Sequence, residues 1–306
     1  MANPLRIWQR ELKRTLTGDP DSTPAWALEL AKGDDGGYFQ PGSAAWAVNG
    51  SISTIVAGIR ALLMQSLHPG ALAGVLDHSL FREDPLGRLA GTIRWIFTVT
   101  YGSTDAAKTA CGWVLHLHES VHGRYLDSHG IERSYSANDP ELLRWIHIAF
   151  TDAFLATHKI WGGPIPGGPD GYVREWAQAG ELMSVHDAPR SEAEMRQMLD
   201  RWYDDGELKY DARVAETVAF IRNPPLHPLL KSGYRVLFAA AVATLEPKYR
   251  DLLRLRTAHL GPMPLPTVTV TRAALAIIRL ALGRTGPSEL AARRRLVRLG
   301  LLPASC

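Results

Sequence analysis

The sequence predicts an all-α fold, arranged as a single and mostly helical domain. Apolar residues recur at helical spacing along most of the chain, sustained β alternation is missing, and no internal repeat is evident. Hydrophobic residues make up 46% and charged residues 21% of the 306 residues. This composition is typical of a globular chain with one large domain or two small ones.

The first part of the chain predicts a short helix, a loop and a longer apolar helix. Residues 4–16 favour a helix, and residues 34–50 are rich in Gly, Pro and Ser, which favours an ordered loop. A serine cap and apolar residues at helical spacing predict a helix over residues 51–67. Pro69 ends or kinks this helix, and the apolar pattern continues to Ser79.

Two further helices are predicted before residue 130. Residues 84–102 have a tail, "IFTVTY", that also suits a strand, but the length of the segment favours a helix that ends at Gly102. Residues 103–130 predict one continuous helix with a single apolar stripe. The stripe consists of Ala106, Ala110, Trp113, Leu117 and Val121.

The second half of the chain is also helical in pattern. Residues 139–162 predict a helix with Asp139 as its cap, residues 191–205 predict an amphipathic helix, and residues 233–255 predict two helices broken at Pro247. The chain therefore divides into an N-terminal extension (1–33), a helical domain (34–260), and a Pro-rich linker with basic C-terminal helices (261–306).

Composition excludes several classes of function. The net charge of +3, without a run of five or more like charges, gives no basis for binding nucleic acid. Cys111 and Cys306 form no C-x-x-C pair, which argues against a disulfide framework and a structural zinc site. The N-terminal stretch has no apolar signal region, and no apolar run reaches the ~18 residues of a membrane span. We expect a cytoplasmic protein.

The stretch "HESVH" fits the H-E-x-x-H pattern of zinc peptidases, with His118 and His122 as ligands and Glu119 as base. Both histidines lie at the flank of the apolar stripe or on the exposed face. Tyr125 and Ser128 stand where the extended form of the motif needs glycine and histidine. A solvated helix face is therefore favoured over a zinc site.

His147 lies in a segment, "WIHIAFTDAFLA", that is apolar almost all round. Such a helix is usually buried, and a buried imidazole needs a partner. One interpretation is a core histidine bonded to a carbonyl. The other is a haem ligand, because a lone imidazole among apolar residues suits an iron that the porphyrin already surrounds.

Three other residues are candidates for the same chemistry. His68 precedes Pro69 at a helix break, which marks either a site or simple capping. Arg88 and Thr92 lie one turn apart in "GRLAGT", and Arg88 is suited to hold a haem propionate or to lie at the surface.

Five stretches in this order resemble the MpaB-type oxygenases related to the rubber oxygenases, or latex-clearing proteins, over roughly residues 34–258. The stretches are "FQPGSAAWAVNG", "LLMQSLHPGALAGVLDHSLFREDPLGRLAGT", "VLHLHESVHG", "DPELLRWIHIAFTDAFL" and "TLEPKYRDLLRL". The resemblance implies a globin-like helical fold that holds haem b, with His147 as iron ligand and Arg88 and Thr151 as cofactor-binding residues. His68, Arg88 and Thr92 are the catalytic candidates. The resemblance also implies that "HESVHG" is the end of a helix that recurs in the family, so that its match to the H-E-x-x-H pattern of zinc peptidases is a coincidence.

The chain also departs from the rubber oxygenases. Gly91 stands where we place their distal glutamate, and "CGWVL" replaces the lysine, threonine and arginine that precede the H-x-x-V-x-G stretch. Their secretion signal is missing as well. Cleavage of polyisoprene by the same base-assisted route is therefore not expected.

We expect a haem b-dependent oxygenase that acts with O₂ on a small apolar or isoprenoid-like molecule. The alternatives are a haem-binding sensor or carrier without catalysis, and the zinc hydrolase. Residues 272–306 carry seven arginines against one acid, and their apolar stripes pack on the domain, on a second copy in a homodimer, or on a membrane surface.

Overall fold

The computed structural model describes residues 4–79, 83–260 and 263–303, most of them in helices. The helices are α1 (Pro4–Thr17), α2 (Ala25–Glu29), α3 (Ala44–Asn49), α4 (Thr54–Gln65), α5 (Pro69–His78), α6 (Pro85–Tyr101), α7 (Thr104–His118), α8 (Pro140–Trp161), α9 (Gly168–Leu182), α10 (Glu192–Asp204), α11 (Ala212–Arg222), α12 (Pro228–Thr244), α13 (Pro247–Leu252), α14 (Thr267–Leu282) and α15 (Pro287–Arg298). The strands form two antiparallel hairpins: β1 (His122–Leu126) with β2 (Glu132–Ser136), and β3 (His259–Leu260) with β4 (Met263–Pro264). The all-α prediction is confirmed.

Helix α8 lies at the centre of the fold because its sequence is apolar on nearly every side. It packs along α4, which also contacts α12. Trp145 and Ile148 of α8 are fully buried. An ion pair between Arg60 of α4 and Asp152 of α8 lies in the same core, and both side chains are almost without exposure. Helix α8 therefore carries the main apolar contacts and one partner of this buried ion pair.

The predicted helix breaks are confirmed where proline or glycine sets them. Pro69 is the first residue of α5, and Pro247 is the first residue of α13. Gly102 ends α6 by donating its N–H to the carbonyl oxygen of Thr98 at 2.8 Å. The tail "IFTVTY" is helical, so the strand alternative for this segment is excluded.

The loop predicted for residues 34–50 is wrong at its end, because α3 begins at Ala44. Ser43 caps α3 by accepting a hydrogen bond from the N–H of Trp46. Ala44, Ala45 and Val48 are fully buried, so tertiary packing stabilises this short helix.

The continuous helix predicted for residues 103–130 is also wrong. Helix α7 ends at His118, and the chain then forms the β1–β2 hairpin. The Asp127 carboxylate accepts hydrogen bonds from the N–H groups of His129 and Ile131, which closes the hairpin turn. The predicted apolar stripe fails too: Trp113 is 62% exposed, whereas Cys111 is buried.

Two predicted caps do not form as expected. The serine cap predicted at the start of residues 51–67 is displaced by two residues, because Ser53 and not Ser51 is the N-cap residue of α4, and the Ser53 hydroxyl donates to the hydroxyl of Ser51. Asp139 precedes α8, but its carboxylate accepts from the N–H of Ser136 and closes the turn after β2. Both side chains stabilise the preceding turn instead of the helix end.

The C-terminal helices pack on two different parts of the domain: α14 on the main core, and α15 on a separate apolar cluster with Leu30 and Tyr101. Helix α14 contacts α12 and α1, and α15 contacts α2 and α6. Arg295 of α15 is fully buried and donates to the carbonyl oxygens of Leu30 and Tyr101. In the part of the chain that the structure describes, no helix has the length and apolar content to cross a bilayer. Cys306 lies outside the described residues.

Candidate functional site

The imidazole of His147 is a buried titratable group on α8. Among the described residues, no hydrogen-bond partner meets its buried Nε2. Burial lowers the pKa of His147 to about 4, so the ring is neutral at physiological pH. Buried polar atoms without partners are rare in native proteins, and each calls for an explanation. The core histidine bonded through Nε2 to a carbonyl is therefore not what this fold contains.

Helix α9 approaches His147 closely because Gly180 has no side chain. A Cβ atom at Gly180 would lie 3.0 Å from Cε1 and 3.1 Å from Nε2 of His147, and 3.1 Å from the Cβ of Ala188. Leu143, one turn before His147, belongs with Ala188 to a small apolar cluster. The other members of the cluster are Ala177 and Val185, with Leu115 and Met183 packed against it.

Thr151 is fully buried one turn after His147, but it does not contact the imidazole through its hydroxyl. Its Oγ1 donates to the carbonyl oxygen of His147 at 2.7 Å. Such a bond inside a helix satisfies the hydroxyl locally. Thr151 thereby fixes the backbone that carries His147.

A second imidazole lies near the same cluster. His118, at the end of α7, is half-buried, and among the described residues its buried Nδ1 has no hydrogen bond of good geometry. Burial lowers the pKa of His118; the Asn138 side chain beside it raises that pKa, and the charge of Arg88 lowers it. Leu115 lies one turn before His118 on α7, so both imidazoles border the cluster around Leu143.

Arg88 and Thr92 lie on the N-terminal half of α6. The Arg88 guanidinium donates to the hydroxyl of Ser79, and burial lowers its pKa. Thr92 is exposed and donates to the carbonyl oxygen of Arg88 at 3.1 Å. The structure therefore brings Arg88 to His118, whereas the sequence had associated Arg88 with His147.

His68 lies apart from His147. Its Nδ1 accepts a hydrogen bond from the N–H of Ala71 and caps α5. Its ring lies 6.0 Å, centroid to centroid, from that of Trp145. Trp145 precedes His147 by two residues, which places the two side chains about 200° apart around α8. His68 borders a different cavity, which is lined by the carboxylates of Asp127, Asp139, Glu141, Asp205 and Glu207.

The H-E-x-x-H pattern falls where α7 ends. His118 is the last residue of α7 and His122 is the first of β1, so the two imidazoles do not share a helix face. Glu119 is exposed and pairs with His116. Within the described ranges, no group of three or more His, Cys, Asp or Glu residues is placed to hold a metal. The geometry contradicts the zinc-hydrolase alternative, and the half-buried His118 lies as expected for the flank of a helix and not for its exposed face.

The fold and the site define a class of protein: an all-α domain built around a buried helix with an unpaired, neutral imidazole. A family model described as "ER-bound oxygenase mpaB/B'/Rubber oxygenase, catalytic domain" matches residues 46–280. The chain belongs to this family, and the resemblance seen in the sequence is confirmed. No curated protein and no solved structure gives a significant match.

Sequence reasoning missed the proximity of Arg88 to His118 and the approach of Gly180 to His147. The signal for the first was the helix end "HESVHG", which separates α7 from the hairpin. No sequence signal marks the second, because Gly180 follows an ordinary helical pattern in α9.

Proposed function

We propose that this member of the oxygenase family depends on haem b and acts on a small apolar or isoprenoid-like molecule. The single observation that carries the proposal is the unpartnered Nε2 of His147 in its apolar surroundings. An axial ligand of haem iron is one imidazole nitrogen without another hydrogen-bond partner. The oxygenase family supplies the reaction class.

Three properties of these residues support haem. His147 is neutral, and neutral imidazole is the form that binds metals. The cluster around Leu143 and Ala188 keeps water from the imidazole. The porphyrin supplies four nitrogen ligands, so a single protein ligand is enough. When bound, the haem iron supplies the activation of O₂.

His118 is the second candidate for the iron ligand. Its ring is half-buried and borders the same apolar cluster, and it lies beside Arg88, the cation suited to a haem propionate. His147 has the more complete apolar enclosure, whereas His118 has the charged neighbour. We assign the iron to His147, and the experiment below decides between the two imidazoles.

Exposed apolar side chains on α7 support an apolar substrate. Trp113 is 62% exposed and Leu117 is 45% exposed, and both lie within two turns of His118. Large apolar side chains that are close together at a surface commonly mark a binding site for apolar ligands. A small isoprenoid-like molecule would approach the site along this surface.

The first experiment is haem titration of the purified full chain, monitored by the Soret band. We expect one haem per chain for the wild type. His147→Ala is expected to lose the Soret band of the bound state, and free imidazole is expected to restore it by taking the place of the missing side chain. His129→Ala is the matched control, because His129 is exposed in the β1–β2 turn and is not part of the cluster.

The possible outcomes test separately which histidine binds the iron and whether the protein is an oxygenase. If His118→Ala loses haem and His147→Ala retains it, the iron ligand is His118 and the haem proposal stands. If the wild type binds no haem, the proposal is wrong. Haem binding without O₂ consumption, across a panel of short isoprenoids, would show a haem-binding sensor or carrier and would refute the oxygenase assignment for this chain.

A further inference from the structure

Helix α14 is apolar on two opposite faces. Its inner face, with Thr271, Leu275 and Ile278, is buried against the core. A surface helix normally presents a polar face to water, and a helix that is apolar all round is normally covered on every side. The outer face of α14 departs from this rule.

The outer face consists of aliphatic side chains. At about 100° per residue, Leu280 lies opposite Leu275 and Ile278, Ile277 lies about 100° or more from both, and Val270 lies toward the flank. Val270 is 45% exposed, Ile277 is 56% exposed and Leu280 is 85% exposed. The exposed Ala273 and Ala276 lie between them. We call these five residues the outer face.

The charged side chains of α14 and of the turn that follows it are all positive. Arg272 and Arg279 lie on the flank of α14, and Arg284 follows Leu280 by about one turn. Residues 267–288 contain no Asp or Glu. Among the described residues, no carboxylate pairs with Arg279 or Arg284. The first acid, Glu289, pairs with Arg293.

This charge pattern distinguishes between two partners that could cover the outer face, a second copy of the chain and an anionic bilayer. A second copy of the chain would bring arginines against arginines without an acid between them, which is unfavourable. An anionic bilayer offers phosphates to the arginines and acyl chains to the aliphatic residues. The long arginine side chains reach from the helix flank to the headgroup level.

We propose that α14 docks on the surface of an anionic bilayer, with its outer face at the boundary between headgroups and acyl chains. The helix lies in the plane of the surface and does not cross the membrane. The proposal does not depend on haem. An enzyme placed in this way takes an apolar substrate directly from lipid.

Co-sedimentation of the full chain with vesicles tests the proposal. We expect binding to vesicles of phosphatidylcholine with phosphatidylserine at low salt, and little binding to phosphatidylcholine alone. The double variant Ile277→Ser/Leu280→Ser is expected to lose binding. For Arg279→Gln and Arg284→Gln we expect partitioning to fall roughly 5-fold per arginine neutralised, because each cation contributes about 1 kcal/mol near an anionic surface.

The control is Leu126→Ser, which removes an exposed leucine from β1, and it is expected to sediment like the wild type. All of these side chains point to solvent, and circular dichroism checks that the variants are folded. Failure of the wild type to bind anionic vesicles would overturn the proposal, and so would full binding by the double variant. Light scattering provides a third outcome. If the wild type is a dimer that binds no vesicles, and the double variant is a monomer, the outer face is a subunit interface and the proposal is wrong.

Discussion

Replacing Gly180 by alanine probes the contact on which the candidate site depends. The new methyl group would lie 3.0 Å from Cε1 and 3.1 Å from Nε2 of His147, and 3.1 Å from the Cβ of Ala188. These distances are shorter than ordinary van der Waals contacts between carbon atoms. Neither neighbour is the end of a long flexible side chain, so α9 must move away from α8.

Two opposing terms set the expected change in stability. Alanine in place of glycine inside a helix stabilises by about 1 kcal/mol. Overpacking a tight core position costs about 1–3 kcal/mol. For Gly180→Ala we therefore expect a free energy of unfolding between about 0 and 2 kcal/mol below that of the wild type.

The matched control is Gly233→Ala in α12. Gly233 is exposed, and a Cβ there meets no atom within 4 Å, so only the helix term acts. The two variants should differ by about 1–3 kcal/mol in urea unfolding, with Gly233→Ala the more stable. If Gly180→Ala gains as much stability as Gly233→Ala, the close approach of α9 to His147 is wrong.

Three further predictions concern buried charges. Burial lowers the pKa of His147 from 6.5 to about 4, so between these values only the unfolded chain protonates this imidazole. In haem-free protein, His147 should contribute about 3 kcal/mol to the stability that is lost as pH falls from 6.5 to 4. His147→Gln should remove this contribution and leave the similar one from His68. Asp152→Asn should destabilise by about 3–5 kcal/mol, because it leaves the Arg60 charge buried without compensation, while Arg60→Met with Asp152→Leu should restore most of the loss. Arg295→Met should cost about 2–6 kcal/mol because two carbonyl oxygens lose their donor, whereas the exposed Arg294→Met should change stability by less than about 0.5 kcal/mol.

Urea unfolding checks all three, and each has an outcome that contradicts it. An unchanged pH profile in His147→Gln would mean that the imidazole is not enclosed in the folded chain. A double variant at Arg60 and Asp152 that is no more stable than Asp152→Asn would exclude the charge as the cause. If Arg294→Met and Arg295→Met lower the free energy of unfolding equally, α15 does not pack as described.

Much of the fold was predictable because local signals set the element boundaries. Pro69, Gly102 and Pro247 each fix a helix end through a missing donor or a preferred backbone conformation. The segment after His118 was mistaken for helix because its apolar spacing fits both structures, and only pairing with Glu132–Ser136 makes it a strand. Whether a partner strand lies beside a segment depends on the tertiary structure, and the periodicity of that segment does not predict it.

The candidate site was predictable by residue type but not by arrangement. The apolar segment around His147 indicates a buried imidazole, and burial is confirmed. Whether Nε2 meets a carbonyl depends on α9, which the local sequence does not place. The same holds for His118, whose half-buried position follows from where α7 stops and from Asn138 beside it.

The sequence by itself determined the helical composition, the buried character of α8, the family and the basic charge of the C-terminal helices, because propensity, periodicity and charge belong to single segments. The tertiary structure decided which atoms those segments present to one another. It buried Arg295 against the carbonyl oxygens of Leu30 and Tyr101 and left Leu280 at the surface, although both lie in the same basic tail. Burial depends on contacts between residues far apart in the chain, and a pattern within one helix specifies only which face is apolar, not what covers it.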